Sequence, residues 1–194
     1  MFKLQIAETQ KNLELLSNND RLIKIIDLVV SEIFNALSTG LPLLVFGNGG
    51  SASDALHITG ELVGKFKQTR RALNVICLNS NVTVITAWAN DFEFDTVFSR
   101  QVEAHSKPKG ICWGISTSGN SISVTKALKR AKELGMLTIL LTGQDGGKAK
   151  YFSDYKINVP SLDTARIQEL HLPIYHYICE QVELKVTSEP IRDY

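Results

Sequence analysis

The chain has 194 residues, 44% of them apolar, with 21 Lys plus Arg against 20 Asp plus Glu for a formal charge of +1. That is the length of one domain, or of one domain with a helical extension, and enough to bury roughly 70% of the unfolded surface. The balanced charge removes the field a general nucleic-acid binder needs, and no apolar run approaches the roughly 18 residues of a membrane span.

In chain order, Met1 to Glu8 carry no apolar signal-peptide core, so a soluble, cytoplasmic protein is expected. Residues 1–39 read as a helical arm. Leu22, Ile26, Val29, Val30, Ile33 and Leu37 form one helical stripe, and Asn18-Asn19-Asp20 supplies cap chemistry for a break near residue 18. Ile23, Ile25 and Phe34 lie off that stripe, so they cover either a partner subunit or the chain's own core. From residue 42 short apolar runs alternate with helices. Strands are expected at 43–46, 74–78, 111–115 and 137–141, with an edge strand at 155–159 and helices near 52–66, 82–106, 121–134 and 165–186. Near-continuous apolar strands separated by helices predict an α/β domain, a parallel sheet covered on both faces. The domain is read as single, with 1–39 as the arm and 40–186 as the α/β core and last helix. Cys77, Cys112 and Cys179 are odd in number and far apart, which fits neither a disulfide framework nor a cysteine zinc site.

Ligands of an open parallel sheet bind beyond the carboxyl ends of its strands. Two such loops suit an anion. Gly47-Asn48-Gly49-Gly50-Ser51 follows the first strand and opens a helix, a place where backbone N–H groups can be aimed at a ligand; a plain tight turn reads equally well. Ser116-Thr117-Ser118-Gly119-Asn120-Ser121 follows the third strand. A cap needs one hydroxyl, so four favour a phosphate, and without a Gly-Lys-Ser/Thr ending a sugar phosphate fits better than a nucleoside triphosphate. On helices, His57 and Glu61 share a face, and Gln168 and His176 stand about 80° apart on the last helix. Imidazole and carboxylate are ligands suited to zinc, and equally a general base and acid; a His-x-x-x-Glu pair is also an ordinary surface contact.

Taken together and in order, the segments around Gly47–Ser51 with Asp54–His57, Asn90-Asp91-Phe92, Phe98–Val102, Ile115–Ser121, Leu141–Gly147 and Thr164–His171 resemble the phosphoheptose isomerases. The match runs from about residue 10 to 183. The resemblance implies the sugar isomerase (SIS) fold, a five-stranded parallel sheet between helices, in a homotetramer. It implies conversion of sedoheptulose 7-phosphate to D-glycero-D-manno-heptopyranose 7-phosphate for bacterial lipopolysaccharide, capsule or S-layer glycans. It also implies one zinc per subunit on His57, Glu61, Gln168 and His176, with Glu61 as base and His176 as acid. Ser116, Thr117, Ser118 and Ser121 would take the phosphate, with Asn48, Gly49, Gly50, Ser51, Asn90, Asp91 and Gln168 around the sugar. The DnaA initiator-associating protein is similar over its full length but binds a replication initiator instead of catalysing; it lacks the acidic residue and the histidine that this chain keeps as Glu61 and His176. A non-catalytic SIS binding module is therefore the alternative. Two departures stand out. Lys65 occupies a position where many members carry arginine, and Pro173 removes an N–H within the last helix and is expected to kink it.

Overall fold

The structure, a computed structural model, describes residues 1–188; residues 189–194, most of the carboxy-terminal tail, lie outside the described part. Helix α1 (Phe2–Ser17) ends at Asn18, and α2 (Asp20–Ser38) starts where the cap chemistry placed it. Asn19 Oδ1 accepts the Leu22 N–H at 3.0 Å, and Asp20 adds a negative charge to the first turn. The α2 stripe is buried from Leu22 to Leu37. Of the off-stripe residues, Ile25 and Phe34 pack partly against this same core, whereas Ile23 stays exposed. α1 exposes Phe2, Leu4, Leu13 and Leu15.

Strands β1 (Leu43–Gly47), β2 (Val75–Cys77), β3 (Ile111–Ser116), β4 (Leu137–Thr142) and β5 (Tyr155–Asn158) form one sheet in the order β2-β1-β3-β4-β5. Every pairing is parallel, with Leu43 beside Ile111 and Ile111 beside Leu137. The remaining helices are α3 (Gly50–Val63), α4 (Val82–Asp91), α5 (Val97–His105), α6 (Ile122–Glu133) and α7 (Thr164–Ser188). Alternate strand residues feed two cores. Leu43, Val45, Trp113 and Ile139 pack under α2, α3 and α7, while Leu44, Phe46, Cys112 and Leu140 pack under α5 and α6. Gly114 lets α6 lie close, since a Cβ there would stand 2.9 Å from Val124 Cγ1. The outcome is the expected three-layer α/β fold.

The expected single helix over 82–106 is instead two. Phe92 leaves helical geometry at φ −132°, ψ −110°, and a 3₁₀ turn at Phe94–Thr96 precedes α5. Trp88 fixes this corner by stacking on Phe92, with ring centroids 4.2 Å apart, and by donating its indole N–H to Thr96 Oγ1 at 2.8 Å. α7, by contrast, runs through Pro173 without ending. The proline removes one backbone bond, and packing on α2 and α3 carries the helix past it. Among the described residues no helix is long and apolar enough to cross a membrane.

Candidate active site

β1 and β3 lie side by side, yet the chain leaves β1 for α3 on one face and β3 for α6 on the other. The two loops open between them a crevice at the carboxyl ends of the strands, where this sheet type binds ligands. Gly49 precedes α3 at φ +57°, a conformation open to glycine. Asn48 ties the loops together: its Nδ2 donates to Ser121 Oγ at 2.7 Å and Ser123 Oγ at 3.0 Å. Ser121, at the cap position of α6, makes no side-chain cap bond, and Gly49 has no side chain to cap α3. Neither helix carries an acidic residue in its first turn. Three other helix starts are served: Asn19 caps α2, Asn81 caps α4, and Asp163 Oδ1 accepts the Arg166 N–H in the first turn of α7, whereas α1 and α5 also start without a side-chain cap. Two uncapped helix starts thus meet in one crevice, which concentrates N–H donors and positive dipole ends on an anion.

The serine loop is buttressed from β4. Thr117 accepts the Gly143 N–H at 3.0 Å, and Asn120 Oδ1 accepts the Lys148 N–H at 3.1 Å. Gly119, at φ +63°, lies directly against the backbone of Gly146 and Gly147. Across β1, Asn79 holds both backbone groups of Gly47, accepting at 3.2 Å and donating at 2.8 Å.

The second half of the site sits on α3 and α7. His57 Nε2 stands 3.2 Å from Glu61 Oε1, one turn apart as their spacing requires. The His176 ring faces His57 edge-on at 5.0 Å between centroids, so α7 brings its histidine to this pair. Behind His57, Nδ1 meets the Tyr175 hydroxyl at 3.0 Å, and that hydroxyl reaches Asp54 Oδ1 at 3.5 Å. Burial pushes the Tyr175 phenol up and the Asp54 carboxyl up to about 6, the latter opposed by the Tyr175 bond and the His57 charge. His176 is held below the usual imidazole range, by burial first and then by His57, with Glu61 opposing.

Zinc chemistry can be tested against this donor set. When Tyr175 donates to Asp54, its oxygen accepts the His57 Nδ1–H, which leaves the Nε2 lone pair beside Glu61 Oε1. Two electron-pair donors 3.2 Å apart match neighbouring ligands on one tetrahedral zinc, roughly 3.3 Å for bonds of about 2.0 Å. The carboxylate–tyrosine–histidine chain is the orienting support that a ligating imidazole requires. Among the described residues no group of three or more His, Cys, Asp or Glu is gathered tightly enough to hold a metal. The fit to zinc thus rests on the His57–Glu61 pair, with the His176 ring adjacent and the Gln168 amide lying against Gly50 at the start of α3.

The SIS domain family model matches residues 9–143. A curated phosphoheptose isomerase from Crocosphaera subtropica is 46% identical over 171 residues, 88% of this chain and 87% of that relative. The chain belongs to the phosphoheptose isomerase family. Solved phosphoheptose isomerases agree. The one from Neisseria gonorrhoeae has 35% identity and a TM-score of 0.88, covering 94% of this chain and 97% of its own. The one from Francisella tularensis has 31% identity and a TM-score of 0.90, covering 94% and 96%. Family members are SIS-domain sugar-phosphate isomerases, so the resemblance read from the motifs holds for both family and fold.

Within this phosphoheptose isomerase fold the expected residues divide. Asn48, Gly49, Gly50 and Ser51 on one side and Ser116, Thr117, Ser118 and Ser121 on the other line the crevice between β1 and β3. His57, Glu61 and His176 converge farther along α3, and Gln168 sits between the two groups against Gly50. Asn90 and Asp91 stand at the exposed end of α4, where Asn90 Nδ2 donates to Asp91 Oδ1 at 2.9 Å. The sequence reading overlooked Ser123, Asn79, Asp54 as a partner of Tyr175, and Tyr175 itself. Tyr175 stands directly before His176, the one local signal that could have flagged it.

Proposed function

We propose that this chain isomerises sedoheptulose 7-phosphate to D-glycero-D-manno-heptopyranose 7-phosphate in the cytoplasm, supplying heptose for bacterial surface glycans. The observation that carries the reading is the pairing of two uncapped helix starts, α3 and α6, in one crevice with a His57–Glu61–His176 cluster carried by α3 and α7. From Gly50 to His57 the helical rise is about 10 Å. A substrate spanning both groups carries its phosphate at the far end of a carbon chain from its carbonyl, as a ketoheptose 7-phosphate does.

The phosphate lies on the α3 and α6 amides and the hydroxyls of Ser116, Thr117, Ser118 and Ser121, with Asn48, Gly49, Gly50, Ser51 and Gln168 along the sugar. Asn90 and Asp91, at the carboxyl end of α4, complete the sugar-binding set in this reading. Glu61 removes the proton from C1 of the ketose, giving an enediolate, and a proton is delivered to C2. His176 passes protons between the two oxygens. Each such group contributes roughly 10²–10⁴ in rate. Zinc would be held by His57, Glu61, Gln168 and His176, and when bound it supplies polarisation of the carbonyl. A homotetramer is part of this reading. It is supported by an apolar groove of about 650 Å³ between α1, α2 and α7, lined by Leu13, Leu16, Ile23, Ile174 and Tyr177.

The test is NMR of sedoheptulose 7-phosphate with zinc-replete protein in D₂O, beside Glu61→Gln. The wild type should produce a new aldose signal with deuterium at C2, and the variant should lose at least about a hundredfold in turnover while still binding phosphate. No product from folded, zinc-loaded protein would overturn the reading in favour of a non-catalytic sugar-phosphate-binding SIS module.

A further inference from the structure

The segment after α3 has no regular structure, yet it is fastened residue by residue to α7. Glu183, 1% exposed, turns its carboxylate to three successive backbone amides. Phe66 N–H reaches Oε1 at 2.9 Å, while Lys67 N–H and Gln68 N–H reach Oε2 at 2.6 and 3.0 Å. Arg70, its side chain 2% exposed, places Nε 3.4 Å from Glu183 Oε1. That contact is a charge pair without a directed hydrogen bond, because Nε has no aligned acceptor. The rest of the guanidinium is committed. Nη2 donates to the Glu61 carbonyl at 2.7 Å, and Nη1 donates to the Gly64 and Arg71 carbonyls at 2.9 and 3.0 Å. Glu61 and Gly64 lie at the end of α3, where helix geometry leaves carbonyls without partners and a cation is favoured.

Burial of a carboxylate and a guanidinium is unfavourable unless both are saturated with partners. Here three amides and Arg70 outweigh burial and hold the Glu183 carboxyl below the ordinary range. The fastening also reaches the candidate chemistry. Arg70 grips the backbone of Glu61 itself, and the Phe66 ring lies 5.6 Å from the His176 ring. Lys67 Nζ pairs with Glu180 Oε1 at 2.6 Å, one helical turn beyond His176.

We infer that Arg70 and Glu183 are positioning residues that fix Glu61 on α3 against His176 on α7 and hold Phe66 as a wall beside the His176 ring. The inference rests on the proposed roles of Glu61 and His176, and it predicts an effect on geometry that can be read without turnover. Neither residue touches the phosphate crevice, so substrate binding and turnover should separate.

The experiment compares wild type and Glu183→Gln, which keeps the shape and loses the charge, together with Arg70→Lys, which keeps the charge and loses the fork. Expected are a folded chain, kcat down roughly tenfold or more, KM and inorganic-phosphate affinity within about twofold, and a shifted His176 ring signal in histidine-labelled NMR. The His105 signal, at the end of α5, should stay in place as the internal control. If Glu183→Gln fails to fold, Phe66→Leu must move the His176 signal and lower kcat by itself. A folded Glu183→Gln with wild-type kcat and an unmoved His176 signal overturns the inference, as does a parallel loss of phosphate binding and kcat with melting. If the wild type does not turn over the heptulose phosphate, the proposed function fails, and the His176 signal still decides the positioning role.

Discussion

The two ends of the site are built on different principles. The crevice between β1 and β3 is made of backbone and short side chains that hydrogen-bond to one another, with Asn48 spanning from one loop to the hydroxyls of the other. The cluster on α3 and α7 is made of long side chains, of which His57 remains 42% and Glu61 21% exposed. Under the proposed function a phosphate demands a fixed set of donors, and these loops would supply it without any lysine in the set. Proton transfer demands groups that can change charge, so these are left open to solvent and substrate and aimed from behind, His57 by Tyr175 and the α3 end by Arg70. On the proposed function, preformed shape serves binding, and helix-to-helix fixtures serve chemistry.

This contrast can be broken at either end. The largest effect is expected from Gly119→Ala in the serine loop. Gly119 sits at φ +63°, and a Cβ would run into the Gly146 carbonyl and the Gly147 amide. Backbone strain and collision together should cost about 3 kcal/mol or more in urea unfolding, with phosphate binding lost in parallel. A change below about 1 kcal/mol would show that side chains, not backbone packing, set this loop. Asn48→Asp sharpens the same point more gently. Ser121 and Ser123 can turn their hydroxyls to donate to the new carboxylate, so stability should move by less than about 1 kcal/mol. The added charge beside the phosphate should weaken substrate binding by roughly 1.5–3 kcal/mol, tenfold to a hundredfold in KM, with kcat at saturation little changed. Equal falls in kcat and kcat/KM would remove Asn48 from the phosphate crevice.

The same division explains what the sequence made legible. The apolar strand runs, the glycine and serine loops, and the shared face of His57 and Glu61 are local patterns, and each took its expected place. The fixtures were illegible because their partners are distant along the chain. Tyr175 meets Asp54 across 121 residues, and Glu183 meets the Phe66 amide across 117. No periodicity carries such a pairing. Ser123 escaped notice because a serine in the first turn of a helix reads as cap chemistry, whereas here it is buried as a partner of Asn48. The break at Phe92 was missed because the apolar rhythm persists through it, and only the contact of Trp88 with Thr96 fixes the corner.

α7 offers the finest comparison, between His171 and His176, two identical letters on one helix. His176 is half-buried at the cluster, whereas His171 has no exposed surface and neither ring nitrogen has a hydrogen-bond partner. Burial pushes His171 down to about 4, and the Thr142 backbone beside it offsets only part of this. Between pH 6.5 and 4 the unfolded chain therefore binds a proton at this residue that the folded chain refuses. Stability must fall as the pH drops through that window and level off below it. The full effect of one histidine displaced this far is about 3 kcal/mol, and about 2 kcal/mol of it should be lost by pH 5. His171→Leu fills a similar apolar space and removes the proton site. Glu183 and Asp154, both held below the ordinary carboxylate range, are unchanged in the variant and cancel from the comparison. Urea unfolding at pH 7.5 and pH 5 should thus show the wild type losing about 2 kcal/mol more than His171→Leu. Equal losses would mean that the folded protein accepts a proton on His171, and the buried histidine would then belong with the titrating groups of the site instead of beneath them.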